Sequence, residues 1–352
     1  MSPTSIAFIG TVGVPNLYGG FEAFLEASVP MMVKRGHRVT VTCDASRYSE
    51  QSQEWQGATR VFIGVGANGA ASVLHDALAF FKVFVDHRNI VVLGVSAGLF
   101  FPVFRLLCSL TRKKLIVNVD GVEWRRTKFS VAKRAFLRLS DTLAQVFAHQ
   151  VIVDNEGLRP YLTTAGNRKA TYVPYSGDHV IRLPHATTSG EGWLLSICRI
   201  EPENNCELLL TAFRDLGKGR CVFVGNWSAS EYGLNLRAAF ADTPGLTMCD
   251  PVYDPHQLAT LREGCLGYIH GHSVGGTNPS LVEMLFYDAP IAAFDCVFNR
   301  NTAGTDAEYF GTSAALTALM KSYLGNTLRA AKSSRSQFTC AAVVNGYEKT
   351  FK

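Results

Sequence analysis

Two adjacent glycines lie just before the predicted start of a helix in the second half of the chain. Gly275 and Gly276 carry no side chains, and Asn278 followed by Pro279 is typical of an N-cap and the first residue of a helix. The N-terminus of such a helix favours an anion, usually a phosphate. Further along the helix, the Glu283 carboxylate could accept hydrogen bonds from sugar hydroxyls. The combination indicates a nucleotide-sugar site; the alternative is an ordinary connection whose glutamate faces water.

Polar residues also stand where other predicted strands of this half end. Arg199 directly follows one strand, where a guanidinium can clamp a diphosphate. The alternative is a surface ion pair with Glu201 or Glu203. His270 and His272 lie two residues apart at the end of another strand. Because no third or fourth ligand is nearby, we expect hydrogen bonds to a sugar here and no metal site.

The loop between the first predicted strand and the first helix is longer than a simple turn requires. It contains several glycines and ends in Tyr18, Gly19 and Gly20, so its backbone could approach a ligand closely. Glu22 lies near the start of the helix, and the alternative to a binding role is that its carboxylate only complements the helix dipole.

Asp120 follows a later predicted strand of the first half. Its carboxylate could orient a hydroxyl group or act as a base, and the alternative is a turn formed by an Asp-Gly pair. Residues 64–69 match the glycine pattern of dinucleotide-binding loops, with Asp86 near the expected acidic position. We interpret that match as fortuitous, because it follows the third strand and not the first.

The composition indicates a folded protein of about two domains. The chain has 352 residues, of which 47% are hydrophobic and 18% charged, which excludes a mainly disordered protein. Its nine cysteines are scattered and form no Cys-x-x-Cys pair. This favours reduced thiols in a cytoplasmic protein over a disulfide framework or a zinc module.

The net charge of +5 is concentrated in the first half of the chain, notably in residues 112–114 and 124–138. Aromatic residues alternate with cations in the second of these segments. An anionic membrane surface or a lipid diphosphate would suit such a segment, and the alternative is a solvated helix face. Nucleic acid is disfavoured, because the charge imbalance is modest and no binding motif is present.

The N-terminal residues lack the basic and then apolar layout of a signal peptide, so we expect a cytoplasmic location. Residues 91–110 are the most membrane-like segment, but glycine, proline and arginine interrupt it. We interpret this segment as a buried strand followed by a core helix, not as a transmembrane span.

Short apolar segments alternate with helical patterns along both halves. The predicted strands are 5–10, 38–43, 60–64, 89–93, 114–119, 150–153, 193–198, 220–224, 246–249, 266–270 and 291–294, and the predicted helices include 21–35, 72–85, 205–215, 231–241, 255–262 and 279–287. This alternation predicts an α/β protein with two doubly wound parallel sheets. A polar stretch at 182–191 follows Pro and Gly residues, so we expect domains at 1–178 and 179–352, with ligands in a central cleft between them.

Taken together, these motifs resemble the retaining glycosyltransferases of family 4, which have the GT-B fold of two Rossmann-like domains. The resemblance spans nearly the whole chain. More narrowly, it extends to the bacterial subgroup that includes the rhamnosyltransferases of polysaccharide assembly. The segments that carry this narrower resemblance are 10–15, 18–22, 119–124, 199–205, 224–228 and 270–280.

The resemblance implies roles for the residues of the second half. Glu283 would bind the nucleotide ribose, and the N–H groups of Gly276, Thr277 and Asn278 would hold the diphosphate together with Arg199. Tyr253 would line the base, with His272 among the candidates for contact with the sugar.

The sequence departs from the family pattern at three positions. Gly275 stands where the family carries a first glutamate, and Asn204 stands where a lysine usually partners the diphosphate arginine. We still assign both to the donor site. Asp120 occupies the place of a histidine found in many relatives, and with Arg199 and Glu283 it forms the expected catalytic set.

The acceptor is expected to bind the first half, at Tyr18, Gly19, Gly20 and Glu22. Trp124 and Arg125, which begin the basic aromatic segment, complete this acceptor set.

The implied activity is the transfer, with retention, of a hexose or deoxyhexose from a nucleotide diphosphate to a lipid-diphosphate-linked glycan. The donor favoured by the resemblance is dTDP-rhamnose, and no metal or other cofactor is required. The enzyme would lie on the inner face of the membrane, and its last helix could pack back on the N-terminal domain. The alternatives are a nucleotide-sugar epimerase or hydrolase of the same fold and a non-catalytic binding protein of glycan assembly.

Overall fold

The alternating pattern folds into two separate sheets. A computed structural model describes residues 3–119, 121–125, 129–183, 192–325 and 332–351. The first unit contains the residues up to Ser176 together with those from Thr339 onwards, and the second runs from Gly177 to Phe338. Each unit has one sheet with helices packed against it.

The first unit has a sheet of eight strands in the order β3-β4-β2-β1-β5-β6-β7-β8. All neighbouring strands are parallel except β3, which pairs antiparallel with β4. The strands are β1 (Ser5–Ile9), β2 (Arg38–Asp44), β3 (Glu54–Trp55), β4 (Ala58–Ile63), β5 (Asn89–Leu93), β6 (Lys114–Val119), β7 (Gln150–Val153) and β8 (Ala170–Tyr172). Its helices are α1 (Gly20–Lys34), α2 (Ser72–Phe84), α3 (Phe101–Leu110), α4 (Val131–Phe147), α5 (Thr164–Arg168) and α12 (Cys340–Thr350).

The second unit has a sheet of six parallel strands in the order β11-β10-β9-β12-β13-β14. The strands are β9 (Trp193–Ile197), β10 (Cys221–Val224), β11 (Leu246–Cys249), β12 (Cys265–His270), β13 (Ile291–Phe294) and β14 (Glu308–Phe310). Its helices are α6 (Cys206–Leu216), α7 (Glu231–Ala239), α8 (Pro255–Glu263), α9 (Pro279–Met284), α10 (Val297–Ala303) and α11 (Ser313–Gly325).

Helix α12 completes a core of the first unit. Tyr347 stacks on Phe24 of α1 with ring centroids 4.7 Å apart, and its hydroxyl accepts a hydrogen bond of 2.8 Å from Asn118 Nδ2. Near the end of α12, Glu348 forms an ion pair of 2.9 Å with Arg35, which directly follows α1. The C-terminal segment therefore supplies buried side chains to the sheet on which the chain begins.

On the opposite helical layer, α2 and α3 pack side by side. The rings of Phe80 and Phe104 stack at a centroid distance of 3.8 Å, and both side chains are fully buried. Contrary to the expectation of a core helix within residues 91–110, α3 is only half covered, because Leu106 and Leu110 are 59% and 73% exposed. The sequence could not separate the two faces of this helix, since both are apolar.

Candidate functional site

The loop from β12 to α9 has the predicted helix start. Asn278 is the N-cap of α9, and its Oδ1 accepts hydrogen bonds from the backbone N–H of Ser280 at 3.0 Å and from the Ser280 hydroxyl at 2.7 Å. The Asn278 side chain and carbonyl oxygen are thus engaged at the start of α9, and its backbone N–H is the group proposed below to contact a ligand. The helix ends at Met284, three residues before the predicted end at residue 287.

Gly275 has a left-handed backbone conformation, with φ of +124°. A Cβ atom at this position would meet no heavy atom of the described residues within 4 Å. The glycine is therefore favoured by the conformation of the backbone and not by crowding. Thr277, two residues later, is buried, so the loop passes from the surface at Gly275 into the interior of the second unit.

Glu283 is held in place by two basic side chains. Arg262 of α8 donates from Nη2 to Glu283 Oε2, and His179 Nε2 lies 3.3 Å from Oε1. The Arg262 and Glu283 side chains are only 6% and 14% exposed. Burial by itself raises the pKa of Glu283, but the charge of Arg262 and the hydrogen bond with His179 outweigh it and lower the pKa. The carboxylate is therefore kept ionised and fixed in direction.

Arg199 and Asn204 lie close together after β9 but face different surroundings. The Arg199 side chain is 62% exposed, and its nearest carboxylate oxygen among the described residues is Glu201 Oε2 at 3.9 Å. Asn204 is buried, and its Nδ2 donates a hydrogen bond of 2.7 Å to the carbonyl oxygen of Arg199. Asn204 therefore braces the loop that presents Arg199, whose guanidinium is left largely available to an anion.

The two histidines at the end of β12 stack on each other with ring centroids 4.4 Å apart. His270 is buried, and its Nε2 has no hydrogen-bond partner among the described residues. Burial, with a smaller contribution from His272, lowers the pKa of His270 well below its ordinary value. His270 is therefore neutral near pH 7, and His272, which is half-buried, lies nearer the surface. Tyr253, the expected base contact, is largely exposed before α8.

In the first unit, Glu22 holds the loop after β1. Its side chain is buried, and Oε1 accepts hydrogen bonds from the Thr11 hydroxyl and from the backbone N–H of Val12, the latter at 2.8 Å. These hydrogen bonds, more than the helix dipole, account for the glutamate at the start of α1. Glu22 thus holds the loop between β1 and α1 in shape through buried hydrogen bonds.

Two glycines of this loop are required by packing. Gly10 and Gly13 have φ of +88° and +120°. A Cβ atom would lie 2.5 Å from the carbonyl oxygen of Leu93 in the first case and 2.5 Å from the sulfur of Cys43 in the second. At Gly10 and Gly13 the loop backbone therefore lies against neighbouring strands. The exposed part of the loop is at Tyr18.

A cavity of about 400 Å³ opens beside this loop. Its lining includes Leu17, Tyr48, Trp55 and Arg60. The buried guanidinium of Arg60 lies 4.7 Å from the ring centroid of Tyr48 and 4.6 Å from that of Phe62. Aromatic surface next to polar groups suits a sugar ring. No sequence motif marks the cavity, because its residues come from β3, β4 and two loops.

The remaining acceptor candidates are tied to nearby helices. Trp124 Nε1 donates to Asp141 Oδ2 at 3.1 Å, and Arg125 Nη1 donates to the Tyr161 hydroxyl at 2.8 Å. Asp120 lies outside the described residues, so its predicted position remains a prediction.

The structure thus gathers Gly275, Gly276, Thr277, Asn278 and Glu283 on one loop and helix, and it adds Arg262 and His179, which sequence reasoning missed. Neither has a local signal, since Arg262 precedes Glu283 by 21 residues and their pairing is a tertiary contact.

Comparisons with known proteins bear on the fold. Residues 4–178 match a family described as a domain of unknown function, DUF1972. No sequence among the curated proteins matches the chain.

Several solved structures are similar over the whole chain. Sucrose-phosphate synthase from Thermosynechococcus elongatus aligns with a TM-score of 0.74 and 12% identity, over 99% of this chain and 95% of that one. Anabaena HepE, solved in complex with UDP and glucose, aligns with a TM-score of 0.71 and 12% identity over 99% of both chains. A glycosyltransferase from Rickettsia africae aligns with a TM-score of 0.70 and 11% identity, over 100% of this chain and 98% of that one. The predicted GT-B fold is confirmed.

Proposed function

We propose that the protein is a retaining glycosyltransferase that moves a hexose or deoxyhexose from a nucleotide diphosphate to a lipid-diphosphate-linked glycan. The observation that carries the proposal is the fixed, ionised carboxylate of Glu283, one turn into a helix whose preceding loop is open at Gly275. Such a carboxylate is suited to accept hydrogen bonds from the two ribose hydroxyls of a nucleotide. The same fold in Anabaena HepE was solved with UDP and glucose, which supports a nucleotide sugar as donor.

The donor diphosphate would lie between the backbone N–H groups of Gly276, Thr277 and Asn278 and the guanidinium of Arg199. Exposure of Arg199 and its weak contact with Glu201 support this role, because no acid within the described part of the chain neutralises its charge closely. Tyr253 would contact the base and His272 the sugar. Asn204 contributes indirectly, by holding the backbone of Arg199.

In the proposed reaction, the bond between the anomeric carbon and the phosphate oxygen breaks while a bond to the acceptor oxygen forms on the same face of the sugar. The acceptor proton passes to the leaving phosphate, and no side chain acts as a nucleophile. Arg199 and the loop N–H groups would stabilise the negative charge that develops on the phosphate. Asp120 is proposed to orient the acceptor hydroxyl.

The acceptor glycan is proposed to bind the first unit at Tyr18, Gly19 and Gly20, next to the cavity that Trp55 and Arg60 line. Glu22 would act by shaping this loop, and Trp124 and Arg125 would lie further along the acceptor. All nine cysteines are free thiols, which supports the proposed location in the reducing cytoplasm, at the inner face of the membrane. Polysaccharide assembly from dTDP-rhamnose is the process that we favour.

A thermal-shift screen of UDP, GDP, ADP and dTDP tests the donor site first, because a ligand that binds the native state raises the unfolding temperature. The nucleotide that shifts it most then selects the sugar donors for a transfer assay. Selective stabilisation by dTDP and transfer from dTDP-rhamnose are expected. Release of free sugar without acceptor would indicate a hydrolase or epimerase instead.

The variant Arg199→Ala tests the proposed contact between Arg199 and the donor diphosphate. We expect it to lower turnover by about 100-fold or more while leaving the unfolding temperature unchanged, because an exposed side chain contributes little to stability. Arg214→Ala is its control, since Arg214 is also exposed and lies 3.9 Å from a carboxylate oxygen of Asp215. Equal turnover in the two variants would refute the assignment of Arg199.

A further inference from the structure

Helices α2 and α3, with the residues directly flanking them, expose two rows of large apolar side chains. The rows follow helical spacing and range from 36% exposed at Phe100 to 76% at Val85. We name this set the apolar face; it consists of Leu74, Leu78, Phe81, Val85, Leu99, Phe100, Val103, Leu106 and Leu110. These side chains are additional to the core, because both helices also bury an inner apolar row.

The two rows form one continuous surface. Phe81, which is exposed on α2, makes an edge contact with Phe104 of α3 at a centroid distance of 6.0 Å. Phe100 stacks on Phe104 at the same distance. A contiguous apolar surface of this kind is uncommon on a protein that stays free in water and usually marks an interaction site.

Cations surround the ends of these two helices. Residues 72–114 contain six Lys and Arg residues but only two acids, and one of the acids, Asp76, is buried. Four of the cations, Arg88, Arg112, Lys113 and Lys114, lie just beyond the C-terminal ends of α2 and α3. Across the described residues, none of the six cations forms an ion pair with a carboxylate within 4.0 Å.

More cations lie on α4, the helix that packs against Gly98. Gly98, just before α3, packs so tightly on α4 that a Cβ atom would lie 2.0 Å from the carbonyl oxygen of Ser140. Arg138 and Leu139, which directly precede Ser140, are exposed beside this contact. Lys133 and Arg134 are exposed one turn earlier on the same helix. The apolar face therefore has exposed cations beyond the C-terminal ends of its two helices, and the helix that packs against Gly98 carries further exposed cations.

We infer that the apolar face is a docking surface for an anionic lipid bilayer, into which its side chains insert while the bordering cations contact lipid phosphates. Apolar insertion combined with attraction to anionic headgroups is how interfacial helices bind membranes. Across the described residues, no helix has the length and apolar content needed to cross a bilayer. A second copy of the chain fits this surface less well, because a two-fold contact would bring the uncompensated cations of both copies together.

The direct test is co-sedimentation of the whole protein with vesicles, without any sugar donor. Vesicles of phosphatidylcholine alone are compared with vesicles of phosphatidylcholine and phosphatidylglycerol in a 3:1 ratio. We expect binding to the anionic vesicles that weakens as salt is raised, because added ions screen the attraction. Since this readout needs no transfer activity, membrane binding and the proposed reaction can fail separately.

Leu106→Glu tests the apolar part of the surface. It should lower partitioning onto anionic vesicles by at least about tenfold, because a leucine that would insert into the bilayer is replaced by a charge that lipid phosphates repel. Leu234→Glu is the matched control, since Leu234 is 53% exposed on α7 of the second unit, and it should bind like the unmodified protein. Thermal unfolding of both variants verifies that they fold.

A pair of double variants tests the charge. Arg88→Gln with Arg112→Gln should weaken binding by about tenfold or more, since each cation near an anionic surface contributes roughly a factor of five. Lys218→Gln with Lys321→Gln removes the same charge from exposed positions of the second unit and should have little effect. Absence of vesicle binding, or binding by Leu106→Glu equal to that of Leu234→Glu, would overturn the inference. So would a dimer in solution that Leu106→Glu dissociates, if the protein does not bind vesicles.

Discussion

Arg262 and Glu283 form an ion pair that is almost completely removed from water, and they reach it from two different helices, α8 and α9. The pair fixes the carboxylate proposed to bind the donor ribose. A charge in such a place is stable only with its partner, so the contact couples the stability of the second unit to the geometry of the proposed donor site.

Replacing Arg262 by methionine should destabilise the second unit by about 3–5 kcal/mol, because Glu283 would be left buried without its countercharge. Denaturant unfolding followed by tryptophan fluorescence measures this. The background should be Trp55→Phe with Trp124→Phe, so that the remaining tryptophans, Trp193 and Trp227, report on the second unit only.

Arg300→Met provides the comparison for that experiment. Arg300 also pairs with an acid, Asp295, at 2.6 Å, but both side chains are about half exposed. Its loss should cost far less stability than the loss of Arg262, because water and salt screen a surface pair. If the two substitutions cost the same, the buried pair does not anchor α9.

The stability of the second unit should fall as the pH drops below 6.5, with His270 as one contributor. Burial and the neighbouring His272 lower the pKa of His270 in the folded chain, so between pH 6.5 and that lowered value the unfolded chain binds the extra proton. Each such histidine removes about 1.4 kcal/mol of stability per pH unit over this window.

His270→Phe should therefore reduce the slope of unfolding free energy against pH between 6.5 and 5.5. The phenyl ring keeps the stack on His272. It loses Nε2, which has no partner among the described residues, and the long 3.5 Å contact of Nδ1 with the Tyr268 hydroxyl. A slope unaffected by His270→Phe would show that His270 is protonated alike in both states.

Gly275→Glu restores the carboxylate that the family resemblance places at this position. The open space around residue 275 admits the side chain, but a φ of +124° should cost about 1–3 kcal/mol of stability for any L-residue. Gly275→Ala carries the same strain without the carboxylate. If the carboxylate contacts the donor sugar, Gly275→Glu will bind the nucleotide sugar at least several-fold more tightly than Gly275→Ala, whereas both will bind the nucleotide alone equally in calorimetry.

Trp55→Ala tests the cavity of the first unit as an acceptor subsite. Loss of an aromatic surface for a sugar ring should raise the acceptor KM by about tenfold, which corresponds to about 1.4 kcal/mol. The dissociation constant of the nucleotide should not change. An unchanged acceptor KM would exclude Trp55 from acceptor binding, and Glu54→Gln on the same short strand controls for disturbance of β3.

The strands were predictable because most of them are buried on both faces and read as short apolar segments. The bounds of β5, β6, β7, β11 and β13 agree with prediction. The two-residue strand β3 was missed, since Glu54 and Trp55 form no apolar segment. Helix ends depend on packing, which explains why α9 stops earlier than its sequence pattern indicates.

The site was predictable only where the backbone itself signals it. Asn278 was identified as an N-cap because capping is local, and Gly275 was singled out because the family that the sequence resembles has a glutamate at this position. Arg262, His179 and Arg60 were missed, because their positions depend on contacts between distant segments. The exposure of α2 and α3 was missed for a related reason, since apolar composition does not tell which face of a helix is covered.

Residues 339–351 belong to the first unit, although the whole second unit precedes them in the chain. Because synthesis starts at the N-terminus, Tyr347, the packing partner of Phe24, is made only after residues 177–338. Residues 177–338 can therefore fold before the core around Phe24 is complete. The last residue of the second unit is thus synthesised before the last residue of the first unit. A nascent chain in this interval exposes part of an unfinished core, which makes it a substrate for chaperones at a defined stage of translation.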